Sequence, residues 1–177
     1  MSIAPQMTLV LGGASSGKSR YAESLIAALP TPWNPPWVYI ATAEAGDAEM
    51  AARIKVHRAR RDANWRTIEA PRDLKAALAT CGRAPALVDC LTLWLSNLML
   101  AHADIEKEVG QLQEAVFEMK TPVVLVANEV GSGIVPDTPL GRMFRDWQGT
   151  LNQRIAARAD RVVLMVAGLP LAVKGKL

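Results

Sequence analysis

A chain of 177 residues, 50% apolar and 21% charged, has the material for one hydrophobic core and excludes wholesale disorder. Its net charge of +3 falls largely in the stretch Arg53-Ile-Lys-Val-His-Arg-Ala-Arg-Arg61, with no DNA- or RNA-binding motif beside it, so a small polyphosphate is a better partner than a nucleic-acid polymer. Every apolar run stops short of a membrane span, no signal-peptide pattern precedes the first strand, and the two cysteines, Cys81 and Cys90, make neither a metal spacing nor a disulfide framework. A single cytoplasmic domain over residues 1–177 is expected, with both thiols as packing residues.

Residues 7–11 read as a buried strand and 18–28 as a helix with Tyr21, Leu25 and Leu29 near one stripe. The run from Pro30 to Pro36 breaks regular structure, and 37–41 is a second apolar strand. Asp47 is placed to start a helix reaching about Arg61, with Glu49 and Arg53 spaced for an ion pair. A short strand at 65–69 and a helix at 73–80 follow, then a buried strand at 86–90 and helical patterns over 91–103 and 104–120. A strand at 123–128, a Gly/Pro-rich loop at 131–139, a long helix at 140–159 and a strand at 161–167 complete the series. Short, uniformly apolar strands alternating with helices predict a parallel sheet covered on both faces, whose ligands collect at the carboxyl ends of the strands.

The first such end carries Gly12, Gly13, Ala14, Ser15, Ser16, Gly17, Lys18 and Ser19. This octet fits G-x-x-x-x-G-K-[ST], with a strand before it and a helix after it. Glycines let the backbone curl so that successive N–H groups and the helix N-terminus point at one anion. Lys18 is then suited to the terminal phosphates and the Ser19 hydroxyl to Mg²⁺. The run Ala-Leu-Val-Asp89 ends the third apolar strand in a carboxylate, as expected of a second Mg²⁺ residue acting directly or through water. The expected fold class is therefore α/β, a P-loop NTPase-type mostly parallel sheet with helices on both faces, RecA-like. No N-K-x-D guanine selector and no H-R-D or D-F-G kinase set is present, which favours a small-molecule transferase.

His57 sits on the basic helix among Arg53, Arg58, Arg60 and Arg61. Guanidinium neighbours disfavour its protonated form, leaving a neutral imidazole suited to attack phosphorus, while the arginines hold developing phosphate charge. A histidine packed at the edge of an apolar face is the competing reading. His102 has no such setting and reads as a surface residue.

At this point the chain resembles one family, the bifunctional adenosylcobinamide kinase/adenosylcobinamide-phosphate guanylyltransferases of cobalamin biosynthesis. The residues that carry the resemblance are Leu11 through Arg20, Tyr39-Ile-Ala-Thr-Ala43, Asp47 through Ile54, His57, Trp65-Arg-Thr-Ile-Glu69, Asp89-Cys-Leu-Thr92 with Asn97, Asn128-Glu-Val-Gly-Ser-Gly-Ile-Val-Pro136, Arg145-Asp146 and Asn152-Gln-Arg154. The resemblance implies transfer of a γ-phosphoryl group from ATP or GTP to adenosylcobinamide. It then implies transfer of GMP from GTP to adenosylcobinamide phosphate through a histidine phosphoramidate, at the position of His57. It also implies that Thr42, Ala43, Glu44, Arg58, Ala59, Arg60, Arg61 and Glu69 line the guanine nucleotide, and that the chain forms a homotrimer, for which the aromatics Trp33 and Trp37, read as exposed, are candidate contacts, with core packing an equal explanation of them. A carboxylate such as Glu69 suits the guanine N1–H and N2 amine, although a solvated strand-end carboxylate reads the same way. Asn128, Glu129 and the loop to Pro136 suit either the corrinoid tail or Mg²⁺, or are a plain turn. Asp89 stands where many members have Glu, and Ala-Ser-Ser stands where Ala-Arg-Ser is frequent. A simple metabolite kinase and a non-catalytic nucleotide sensor are the alternatives that these residues leave open.

Overall fold

The computed structural model describes residues 6–59 and 61–177, without the side chains of Glu49, Met50, Arg53 and His57. In chain order the elements are β1 (Met7–Gly12), α1 (Lys18–Ala27), β2 (Trp37–Ala41), α2 (Ala48–Ala59), β3 (Trp65–Glu69), α3 (Leu74–Ala79) and β4 (Ala86–Asp89). They continue with α4 (Leu91–Leu100), α5 (Ile105–Glu118), β5 (Val123–Asn128), α6 (Pro139–Arg158), β6 (Arg161–Val166) and β7 (Leu169–Lys174). The strands form one sheet in the order β3-β2-β4-β5-β1-β6-β7, parallel throughout except for the antiparallel β6–β7 pair.

The alternation of side chains along each strand divides the core into two layers. Leu9, Ile40, Val88 and Leu125 face a larger cluster completed by Leu74 and Leu78 of α3, Leu91, Trp94 and Leu95 of α4, Leu112 of α5 and Leu151 and Ile155 of α6. Val10, Tyr39, Leu87, Val124 and Val126 face the other side, where Ala22 and Ile26 of α1 cover them. Both faces are thus covered, but unequally. The helices start where capping chemistry allows: Asp73 accepts from Ala76 N–H, Asp104 from Lys107 N–H, and Thr138 from Gly141 N–H with Pro139 beginning α6.

One expectation changes, and one open alternative closes. The chain after Ala167 forms a further strand, β7, reached through a tight turn with Ala167 at φ 52 and Gly168 at φ 81. Ala in place of Asn or Asp weakens the usual hairpin signal, and β7 is exposed at almost every residue, so its sequence lacks the alternation that marks a half-buried strand. Of the two readings of Trp37, interface contact or core packing, the structure shows packing: it is buried, its indole donates to the Trp33 carbonyl at 2.9 Å, and its ring meets Trp65 edge-on at 5.4 Å. The Glu49–Arg53 pair lies outside the described side chains. Among the described residues no helix is long and apolar enough to cross a membrane.

Leu125 is fully buried at the centre of β5. Leu125→Ala is expected to lower the unfolding free energy by about 3 kcal/mol, read from urea denaturation, and a change below about 1 kcal/mol would contradict this account of the core.

Candidate functional site

Parallel register brings the chemistry to one edge. Gly12 of β1 is paired with Asn128 of β5, Asp89 of β4 with Val126 of β5, and Ala41 of β2 with both Asp89 and Glu69 of β3. Because β5 separates β4 from β1, Asp89 and the loop after β1 stand two strand spacings apart, roughly 10 Å. That distance suits a phosphate chain with its metal between them.

The loop after β1 has the conformation its sequence requires. A Cβ on Gly12 would stand 2.5 Å from Ser16 Oγ and 2.9 Å from the Met165 carbonyl, so only glycine fits there. Gly17 is left-handed at φ 87 and forms the N-cap of α1. Gly13, Ala14 and Ser15 are exposed, and Ser19 is half-buried. Lys18 is buried at the first turn of α1, and its ammonium donates to the Gly13 carbonyl at 2.8 Å. Burial holds the Lys18 ammonium below its ordinary range, an effect that its neighbours Cys90 and Asp89 oppose. The turn between β6 and β7 closes on this loop: a Cβ on Gly17 would touch Gly168 Cα at 3.6 Å.

A second set of contacts fastens the ends of β2 and β4. Thr42 is fully buried; its hydroxyl donates to the Cys90 carbonyl at 2.7 Å and accepts from Cys90 N–H at 2.8 Å, while its own N–H reaches the Asp89 carbonyl at 3.2 Å. Asn97 donates to the Thr42 and Pro71 carbonyls at 2.9 and 3.0 Å. Ala43 is half-buried, and the exposed Glu44 faces Arg72 at 3.7 Å. The Tyr39 hydroxyl donates to Asp89 Oδ2 at 2.7 Å.

The basic segment borders this edge. Arg58 is exposed and paired with Glu69, and the exposed Ala59 ends α2. Arg61 stacks on the Tyr39 ring, with Cζ 3.7 Å from its centroid. His57 lies in α2, but its side chain is outside the described residues, as is Arg60 altogether. The described residues of α2 are exposed except for the half-buried Ile54.

On the other flank, Thr92 accepts from Asn128 N–H at 2.7 Å, Asn152 donates to the Asn128 carbonyl at 3.0 Å, and Gln148 donates to Asn152 at 2.9 Å. Glu129 folds the following loop by accepting from Gly131 and Ser132 N–H, and the Ser132 side chain first, then these two bonds, hold its carboxyl below the usual range. Arg154 grips Glu106 of α5 in a two-pronged pair at 2.7 and 2.8 Å. Asn97, Thr92, Asn152 and Arg154 are thus explained as fasteners of strand ends and helices.

Sequence reasoning missed the Tyr39 hydroxyl as part of the site. The signal was strand parity: Tyr39 pairs with Leu87, and Asp89 lies two residues further on the same face.

For Mg²⁺, the candidate donors are the Ser19 hydroxyl and the Asp89 carboxylate, both hard oxygens. Among the described residues no group of three His, Cys, Asp or Glu could hold a metal ion by itself. This sparse set fits Mg²⁺, which takes one or two protein oxygens and completes its shell with phosphates and water.

The model for the family described as cobinamide kinase / cobinamide phosphate guanyltransferase matches residues 8–173. The chain belongs to this family. It is 50% identical to the bifunctional adenosylcobalamin biosynthesis protein CobP of Pseudomonas aeruginosa, over 95% of this chain and 97% of that protein. It is 43% identical to the bifunctional adenosylcobalamin biosynthesis protein CobU of Salmonella typhimurium, over 95% of this chain and 99% of that one. Among solved structures, a KaiC-like protein of the hyperthermophilic archaeon Pyrococcus horikoshii is similar with a TM-score of 0.51 at 12% identity, over 90% of this chain and 70% of that chain. A solved ATPase domain gives 0.51 at 14%, over 90% and 68%. These likenesses show a RecA/KaiC-like P-loop fold. As a member of the cobinamide kinase / guanyltransferase family, the protein is a bifunctional kinase and guanylyltransferase of cobalamin biosynthesis.

Burial pushes the Cys81 and Cys90 thiols up to about 11, and for Cys90 the Asp89 carboxylate adds to the effect. At about pH 8 both should remain protonated and inert. A disulfide reagent is expected to titrate neither cysteine in the native protein and both after denaturation, and rapid native labelling would contradict their burial.

Proposed function

We propose that both transfers use one nucleotide site, and that His57 is the group that carries GMP between them. The observation that supports this most is the contact chain from Arg61 through Tyr39 to Asp89, which joins the basic segment after α2 to the phosphate-loop edge. In this reading the loop from Gly12 to Ser19 grips the triphosphate with its N–H groups, and Lys18 exchanges its bond to Gly13 for the terminal phosphates. Ser19 and Asp89 would hold Mg²⁺, which would screen the phosphate charge. In the kinase step the side-chain hydroxyl of adenosylcobinamide attacks the γ-phosphorus of ATP or GTP, releasing the nucleoside diphosphate and a proton.

In the second step His57 attacks the α-phosphorus of GTP, and the bond to the leaving pyrophosphate breaks. The phosphate of adenosylcobinamide phosphate then attacks the phosphoramidate, regenerating His57 and giving adenosylcobinamide-GDP. A phosphate monoester is a weak nucleophile, so the covalent intermediate divides one difficult displacement into two. Arg58, Arg60 and Arg61 supply positive charge where it develops on the phosphates, with Ala59 spacing them. Glu69 is the proposed guanine reader, and its pairing with Arg58 supports a place beside the nucleotide-facing basic segment. Thr42, Ala43 and Glu44 form the adjoining wall. The loop carrying the exposed Ile134 and Val135 is the proposed contact for the corrinoid.

A homotrimer is the proposed assembly. Support comes from β7, a sheet edge that exposes Leu169, Leu171 and Val173. Leu171→Asp is expected to lower the mass seen in sedimentation, and an unchanged mass would remove β7 from the interface.

The deciding experiment uses GTP labelled at the α-phosphate. An acid-labile protein adduct is expected, mapping to His57 and absent in His57→Ala, which should keep kinase activity. Lys18→Ala should lose both steps by about 100-fold or more, since both hold a triphosphate. An adduct on another residue, or none, overturns the role given to His57.

A further inference from the structure

Among the described residues of the site, Tyr39 has two ends that serve different groups. It is almost wholly buried in β2, and its ring is held edge-on by Trp65 at 6.1 Å and an interplanar angle of 82°. Trp37 packs on the same Trp65 at 61°. The aromatic cluster therefore leaves the phenol little freedom to turn. Its hydroxyl reaches Asp89 Oδ2 at 2.7 Å, and its face carries the Arg61 guanidinium at 3.7 Å.

Each contact has a directional consequence. The phenol O–H is the donor to Asp89, and the buried ring keeps it aimed there. That bond restricts how the Asp89 carboxylate can turn. At the other end, stacking uses the flat face of the guanidinium and leaves its rim of N–H donors uncommitted. Arg61 Nε and Nη1 are buried and have no hydrogen-bond partner in the protein. Buried donors without partners are costly, which marks them as groups arranged for an anionic acceptor.

We propose that Tyr39 is a positioning residue that couples the two halves of the site, its hydroxyl setting Asp89 for the metal–nucleotide complex and its ring seating Arg61 against a nucleotide phosphate. The inference deepens the reading above and rests on its assignment of Asp89 to the metal and Arg61 to the nucleotide. Tyr39 itself touches neither substrate nor metal. Its effect passes through the two residues it orients, so metal and nucleotide bind cooperatively.

The test compares the full-length protein with Tyr39→Phe, which keeps the ring and loses the hydroxyl, and Tyr39→Leu, which loses both. Affinity for GTP is measured calorimetrically with Mn²⁺ and in EDTA, alongside the melting temperature of each protein. Wild type should bind GTP more tightly with Mn²⁺. Tyr39→Phe should lose roughly tenfold of that metal-dependent gain while its affinity in EDTA stays within about twofold of wild type. Tyr39→Leu should show the same loss and, in addition, bind roughly threefold or more weakly in EDTA, because Arg61 loses its seat. A Tyr39→Phe protein with the full metal-dependent gain overturns the proposal. So does a lower melting temperature with both affinities weakened in the same ratio, the sign of a structural role alone. A wild-type protein with no metal-dependent gain overturns the assignment of Asp89 itself, a different failure.

Discussion

A buried threonine hydroxyl fastens the two strand ends on which the site depends. Thr42 both donates to and accepts from the backbone of Cys90, immediately after Asp89, and Asn97 pins the Thr42 carbonyl from α4. Thr42 and Cys90 are shielded from water, so loss of one partner strands another polar atom in a low-dielectric interior. The Asp89 carboxylate is thereby delivered to a defined place beside Lys18. A site for a nucleoside triphosphate needs that rigidity, because the loop must oppose its charge without first reorganising.

The layers around this edge differ in how firmly they are held. The sheet centre is anchored by Leu9, Leu87, Val88 and Leu125, none of them exposed to solvent. By contrast α2 shows one half-buried side chain among its described residues, and the Arg58–Glu69 pair at its end is itself exposed. Exposed ion pairs contribute little to stability. Among the described residues, the phosphate-gripping loop is thus the more deeply seated of the two, with Lys18 buried and α2 contributing only Ile54.

Much of this was legible in residues alone, for reasons that can be named. The loop from Gly12 to Ser19 was readable because its backbone demands glycine at Gly12 and Gly17, where the structure finds a close approach and a left-handed turn. Asp89 was readable as the polar end of an apolar strand. The strand β7 was hidden because an exposed edge strand needs no alternation and its turn lacks Asn or Asp. Tyr39 was hidden for another reason: its partner lies 50 residues away, and only the pairing of β2 with β4 in register brings the two together. Trp37 stood between two readings because it begins an apolar strand directly after a proline-rich run, and the structure buries it.

The position of β1 has a consequence for how the protein comes into being. This strand is the first in the chain, yet it lies between β5 and β6, and Gly17 after it rests against the turn that leads into β7. Its neighbours are thus made more than a hundred residues later, as the pairing of Met7 with Val123 and of Thr8 with Arg161 shows. Contacts of such long range close last and slowly. During synthesis the phosphate-gripping sequence leaves the ribosome well before β5 and β6 and has no such neighbours to join until they follow. Nucleotide binding is therefore a property that a growing chain acquires late and in one step, and GTP added during refolding should stabilise only the finished fold.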